Sequence, residues 1–237
     1  MTTTERWTQA VRQQLGLGRL LPLGGPRDGA WITERAAEAV LRRAALDARG
    51  VRLDALRIGL ADPESADEPA VLPPPSALPP GPLRMTADLA ATASEPLPTT
   101  ASRLRSALAT AAVERLGLTV TDVDLRVTAL LDEETEPSSQ RVPEPPSAAE
   151  AKGTDEIRAA TAALAVAGVT RLTATLGHPV HIRELPDATA LPHRHVQVEL
   201  AVNADRRAVE VAREVRAAVS EALTDHPTVA VLISAVD

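Results

Sequence analysis

The sequence predicts an α+β fold made of two repeated α-β-β-α-β units, each a three-stranded mixed sheet covered on one face by two helices. An internal repeat is the first observation behind this. Ala44-Ala45-Leu46 and Gly50-Val51 return 118 positions later as Ala162-Ala163-Leu164 and Gly168-Val169, and Asp88-Leu89-Ala90 returns 111 positions later as Glu199-Leu200-Ala201. The 111-residue offset then runs without a gap through the next helix, pairing Ala101, Arg105, Ala107 and Ala111 with Ala212, Arg216, Ala218 and Ala222. Hydrophobic periodicity is the second observation: it alternates between helical and strand spacing in the same order in both halves. A repeat this long, present twice, points to two small domains with separate cores rather than to a solenoid.

Residues 1–28 read as an amphipathic arm. Trp7, Ala10, Val11, Gln14 and Leu15 share a helical face, Leu17, Leu20, Leu21 and Leu23 follow, and Arg6, Arg12, Arg19 and Arg27 face only Glu5 and Asp28. Such an arm can pack on the first domain, or dock on a membrane surface or a partner. Domain 1 spans 29–131. Its first helix starts after Thr33, stops near Gly50 and turns Ala37, Val40, Leu41, Ala44 and Ala45 to one side. A strand with Leu56, Ile58 and Leu60 on one face follows, and after a proline-rich loop over 61–82 the alternation resumes in Leu83, Met85, Ala87 and Leu89. The next helix begins at Thr99 or Thr100 and ends at Gly117, and a third strand covers 123–127. An acidic, proline-rich linker over 132–153 leads to domain 2, 154–237. There the elements are a helix over 154–167, strands over 172–176 and 196–202, a helix over 206–223 and a strand over 229–236. A helix joining the second and third strands of a unit makes those strands parallel.

Composition narrows the class. The 237 residues include no Cys, Phe or Tyr and only two Trp, so the cores must be aliphatic, with neither disulfides nor thiolate metal sites. Lys152 is the single lysine, and the wealth of Arg, Ala and Pro matches a GC-rich, actinobacterial style of coding. The net charge of −7 sits almost wholly in 61–82 and 132–152, which leaves the rest near neutral and without the basic footprint of a nucleic-acid binder. Both segments are expected to be extended, solvated and open to proteolysis. Apolar runs stay well short of the ~20 residues of a spanning helix. A soluble, cytoplasmic protein without a transmembrane segment is the expectation.

The Gly29-Ala30-Trp31-Ile32 step before the first helix, Gly50-Val51 after it, and the ending Gly117-Leu118-Thr119-Val120-Thr121-Asp122-Val123-Asp124-Leu125-Arg126-Val127 resemble the alkaline-shock-protein family. The chain is similar to a degenerate tandem member of that family, and to an actinobacterial group whose label, borrowed from a nucleopolyhedrovirus protein, implies no mechanism. The second unit keeps Gly168-Val169 but has His226-Pro227-Thr228 in place of the Gly-Leu ending, and both units lack the family's Tyr-Gly turn, with Ser94-Glu95-Pro96 and Asn203-Ala204-Asp205 there instead. The resemblance implies a non-enzymatic interaction or scaffolding role in the envelope stress response. It also implies protein partners: other family members, or a membrane-anchored protein that would bring the chain to the membrane periphery.

Catalytic motifs fail on inspection. Gly16-Leu17-Gly18 and Gly24-Gly25 lack the Lys-Ser/Thr pair of a phosphate loop and read as turns, no Gly-x-Ser-x-Gly elbow occurs, and Asp132-Glu133-Glu134 reads as a solvated charge run. No cofactor is expected. One constellation stands out: His178, His181, His193 and His195 bracket the loop between the paired strands of the second unit as His-x-x-His and His-x-His. Imidazoles converging there would bind Zn²⁺ or Ni²⁺ and make the chain a metal-binding protein, whereas the preferred reading leaves them as solvated surface histidines.

Overall fold

The computed structural model describes residues 18–131, 153–185 and 193–237. The helical face expected over 7–15 and the linker segment 132–152 lie outside those residues. The fold is mixed α+β, with four helices and two mixed sheets among the described residues. Its elements are β1 (Leu20–Leu23), β2 (Ala30–Thr33), α1 (Glu34–Ala45), β3 (Val51–Leu60), β4 (Leu83–Thr92), α2 (Leu97–Thr110), β5 (Val120–Leu131), α3 (Thr154–Leu164), β6 (Val169–Leu172), β7 (Val180–Leu185), β8 (His193–Val202), α4 (Ala208–Ala222) and β9 (Thr228–Val236).

Local chemistry sets the helix ends. Thr33 caps α1, its Oγ1 accepting from the Ala36 N–H at 3.2 Å, while Glu34 in the first turn and Arg42 and Arg43 in the last complement the helix dipole. After Thr110, α2 continues as a wider π turn over Ala111–Leu116. That turn ends at Gly117, whose φ of 88° is left-handed and whose missing Cβ leaves room for Val209 of α4. Only glycine fits both conditions there.

The smaller sheet has the order β3-β4-β5, with β3 antiparallel and β5 parallel to the central β4. The larger one is not the three-stranded sheet expected for the second half. It has six strands, β1-β2-β9-β8-β6, with β7 also on β8. Two departures from the expected pattern account for the difference. First, the strand expected over 172–176 ends at Leu172, and the chain makes an excursion before returning as β7, so β6 pairs with the end of β8 and β7 with its beginning. Second, Leu20–Leu23, placed in the arm by sequence, form a strand antiparallel to β2, and β2 in turn runs parallel to β9. Residues 20–33 of the first half thus complete the sheet of the second half.

Separate cores do not form. Apolar residues from Leu21 to Ile233 make one continuous cluster, with α1 lying against β9 as well as β3, and α4 against β9 and β2. A second, smaller layer covers the other face of the large sheet, where Leu20, Trp31, Val71, Ala230 and Leu232 pack together. The proline-rich 61–82 contributes Val71 and the partly buried Ala77 to this layer. That segment carries one short 3₁₀ turn (Pro63–Ser65) but is docked rather than free. The Ala70 N–H donates to Pro26 O at 2.9 Å, the Leu78 N–H to Leu20 O at 2.9 Å, and the Trp31 indole N–H to Leu78 O at 3.1 Å. The solvated loop expected from composition is thus a cover held by backbone bonds.

Candidate functional site

His181 lies in the edge strand β7, His193 and His195 lie in β8 and His178 just precedes β7, while 186–192 between the two strands lie outside the described residues. β7 pairs with β8 in the register His181↔Gln197, Arg183↔His195 and Leu185↔His193, which sets His181, Arg183, His193 and His195 on one face. His178 stacks on His181 with ring centroids 6.4 Å apart and planes 7° from parallel. His193 lies at the far end of the pair. Among the described residues no three His, Asp or Glu side chains are grouped closely enough to hold a metal ion. Burial, aided by the charge of Arg183 on the same face, depresses the pKa of both His181 and His195. A cation in that place works against a second one.

His195 also departs from the surface reading, being only 2% exposed. Its Nδ1 lies 2.9 Å from Thr228 Oγ1, and burial, aided by Arg183, His193 and Arg216, pushes its pKa down to about 4. The folded protein keeps this ring neutral where the unfolded chain protonates it near pH 6.5. Its contribution is therefore complete above about pH 6.5 and is lost as pH falls toward 4, by about 2 kcal/mol once solvent screening is allowed for. Urea unfolding of wild type and His195→Gln across this range should show a flatter dependence in the variant.

A buried acid that sequence reasoning used only as a repeat marker lies beside them. Glu199, wholly buried in β8, faces the excursion between β6 and β7. Its backbone closes the gap at both ends: the Thr173 N–H donates to Glu199 O at 3.1 Å, and the Glu199 N–H donates to Pro179 O at 2.8 Å. Its carboxyl group accepts from the Thr175 N–H at 2.7 Å, the Leu176 N–H at 3.0 Å, Thr173 Oγ1 at 3.0 Å and Thr175 Oγ1. The Thr173 and Ser234 hydroxyls meet at 2.6 Å. With both oxygens engaged and no exposure, Glu199 is fitted to fasten the excursion that carries His178, not to meet a substrate. The signal in the sequence was an acid in mid-strand between Val198 and Leu200.

A third cluster ties the β1–β2 turn to α4. Arg213 makes a bidentate pair with Asp28, Nε to Oδ1 at 2.8 Å and Nη2 to Oδ2 at 2.9 Å. Arg216 donates to Arg27 O at 2.8 Å, to Asp28 O at 2.6 Å and to Val229 O at 2.8 Å. Gly29, at φ 53°, has no Cβ to strike Val71 or the Arg216 guanidinium. The bond from Arg213 holds the Asp28 carboxyl below its usual range. Unfolded Asp titrates near pH 3.9, so this contribution is present above that value and lost as pH falls through the lower folded pKa. Asp28→Ala is expected to cost about 1–2 kcal/mol in urea unfolding at neutral pH, with the difference shrinking in acid.

None of the described helices is long and apolar enough to cross a membrane. No family model matches the chain, and no curated protein or solved structure matches it significantly.

Proposed function

We propose that this chain is a non-enzymatic interaction or scaffolding protein, built by duplication of an α-β-β-α-β unit and resembling the alkaline-shock family of the envelope stress response. The observation carrying the proposal is a matched pair of arginines. Arg105 and Arg216, at the 111-residue offset read from sequence, each donate Nε to the backbone oxygen near the start of the following strand, Val123 O at 3.1 Å and Val229 O at 2.8 Å. Support also comes from strand order. β3-β4-β5 and β6/β7-β8-β9 both put an antiparallel strand and a parallel strand either side of the second strand. On this reading the exposed face of the smaller sheet, with Arg84, Asp88, Asp122, Asp124 and Arg126 forming a mesh of ion pairs, is the recognition surface for a protein in the cytoplasm, one of the same family or one anchored in the membrane.

Crosslinking capture in the native host tests this. The wild-type chain should enrich a family member or a membrane-anchored protein over an Arg84→Glu, Arg126→Glu bait. Equal recovery by both baits, or no specific recovery, would overturn the proposal.

A further inference from the structure

We propose that β5 is a self-pairing edge, joining two copies of the chain across a two-fold axis centred on Leu125, so that two three-stranded sheets become one of six. This goes beyond the interaction reading and stands without it, since a dimer needs no third protein.

The opposite edge of the smaller sheet is closed. On β3, the Ile58 N–H donates to Glu34 Oε1 at 3.1 Å, Arg19 donates to Ile58 O at 3.3 Å, and Arg42 donates to Leu53 O and Asp54 O, both at 2.8 Å. β9, which holds the place in its sheet that β5 holds in the smaller one, is covered by β2. β5 is 12 residues long and has no partner strand on its outer side among the described residues; there Val123 O accepts from Arg105 Nε at 3.1 Å, as Val229 O accepts from Arg216 on β9, whose outer side pairs with β2 all the same. Its later half is exposed on both faces, with Val127 at 36% and Leu130 at 64%. A long edge of this kind is a template for another strand.

Two independent constraints select the occupant. One is the direction of the backbone groups. Met85, Ala87 and Leu89 of β4 face Val123, Leu125 and Val127, just as Val196, Val198 and Leu200 of β8 face Val229, Val231 and Ile233. Val231 directs its N–H outward, to Gly29 O at 3.0 Å, so Val123, Leu125 and Val127 direct theirs to the open side. An antiparallel neighbour must then meet β5 with those residues as its hydrogen-bonded pairs. The other constraint is side-chain complementarity. Centring the axis on Leu125 sets Val123 opposite the second copy's Val127, Leu125 opposite itself and Asp124 opposite Arg126. Opposite charges therefore fall at the close, non-hydrogen-bonded positions, where they stabilise pairing. The backbone alone allows centres on Val123 or Val127 as well, but the first sets Asp122 against Asp124 and the second sets Arg126 against Thr128. A two-fold contact of one strand with itself also closes, so it yields a dimer and not a filament.

The full chain tests this in two steps. Sedimentation against concentration should show a twofold rise in molar mass. Val127→Pro removes an outward N–H at an edge position that tolerates proline. It should leave the urea midpoint unchanged and abolish the rise. Because the chain has no cysteine, Asp122→Cys and Thr128→Cys variants give a clean second readout. Oxidised together they should form a mixed disulfide dimer, and each oxidised alone should not. A monomer at all concentrations, a dimer indifferent to Val127→Pro, or crosslinking of like with like would each overturn the proposal, the last by indicating a parallel neighbour.

Discussion

Trp31→Ala is expected to lower the unfolding free energy by about 3–5 kcal/mol, the range for deleting a buried aromatic side chain. The indole is 1% exposed in a chain without Phe or Tyr, so no neighbouring ring can move in to fill the space. Its N–H is also the donor to Leu78 O, and its neighbour Val71 comes from the same cover segment. Loss of the indole should therefore do more than shift a urea midpoint. Limited proteolysis, slow within 61–82 in the wild type, should become rapid there in the variant. A destabilised Trp31→Ala whose 61–82 still resists cleavage would show that the backbone bonds from Ala70 and Leu78 hold the cover unaided.

Amphipathic elements were the legible part of this fold. α1, α2, α4 and β4 each bury one side in a regular period, and Thr33 and Gly117 mark helix ends with the chemistry those positions need. β1 escaped because Leu20-Leu21-Pro22-Leu23 is apolar throughout, and all four residues are buried, so no period separates strand from helix. β7 escaped for the opposite reason. As an edge strand it exposes His181, Arg183 and Glu184, and four histidines flanking a gap read as a loop mouth. The joining of the halves had no local signal. It depends on β2 pairing with β9 across almost the whole chain, and on salt bridges such as Asp28–Arg213 whose members look like ordinary surface charges in sequence. The site suffers from the same distance: Glu199 gains its meaning from Thr173, Thr175 and Leu176, which approach it only because β6 breaks off at Leu172.

Glu199→Ala should cost about 3–5 kcal/mol, through the penalty for leaving buried donors unpaired. Two of its four donors are backbone N–H groups, of Thr175 and Leu176, which cannot rotate away as hydroxyls can. Glu199→Gln is the sharper comparison. It preserves the volume and one oxygen but turns an NH₂ donor toward groups that are themselves donors, so a loss of about 2–3 kcal/mol is expected, smaller than for alanine. Amide hydrogen exchange locates the effect: Thr175 and Leu176 should lose protection in both variants, while Val231 in the centre of the large sheet should lose it only in proportion to global stability. A change confined to 173–179 with an unaltered urea midpoint would mean that the excursion opens locally and that β6 and β7 hold β8 without it. A fall in midpoint with uniform exchange would mean that the carboxyl group fastens the sheet as a whole, with the buried Thr173–Ser234 contact passing the loss on to β9.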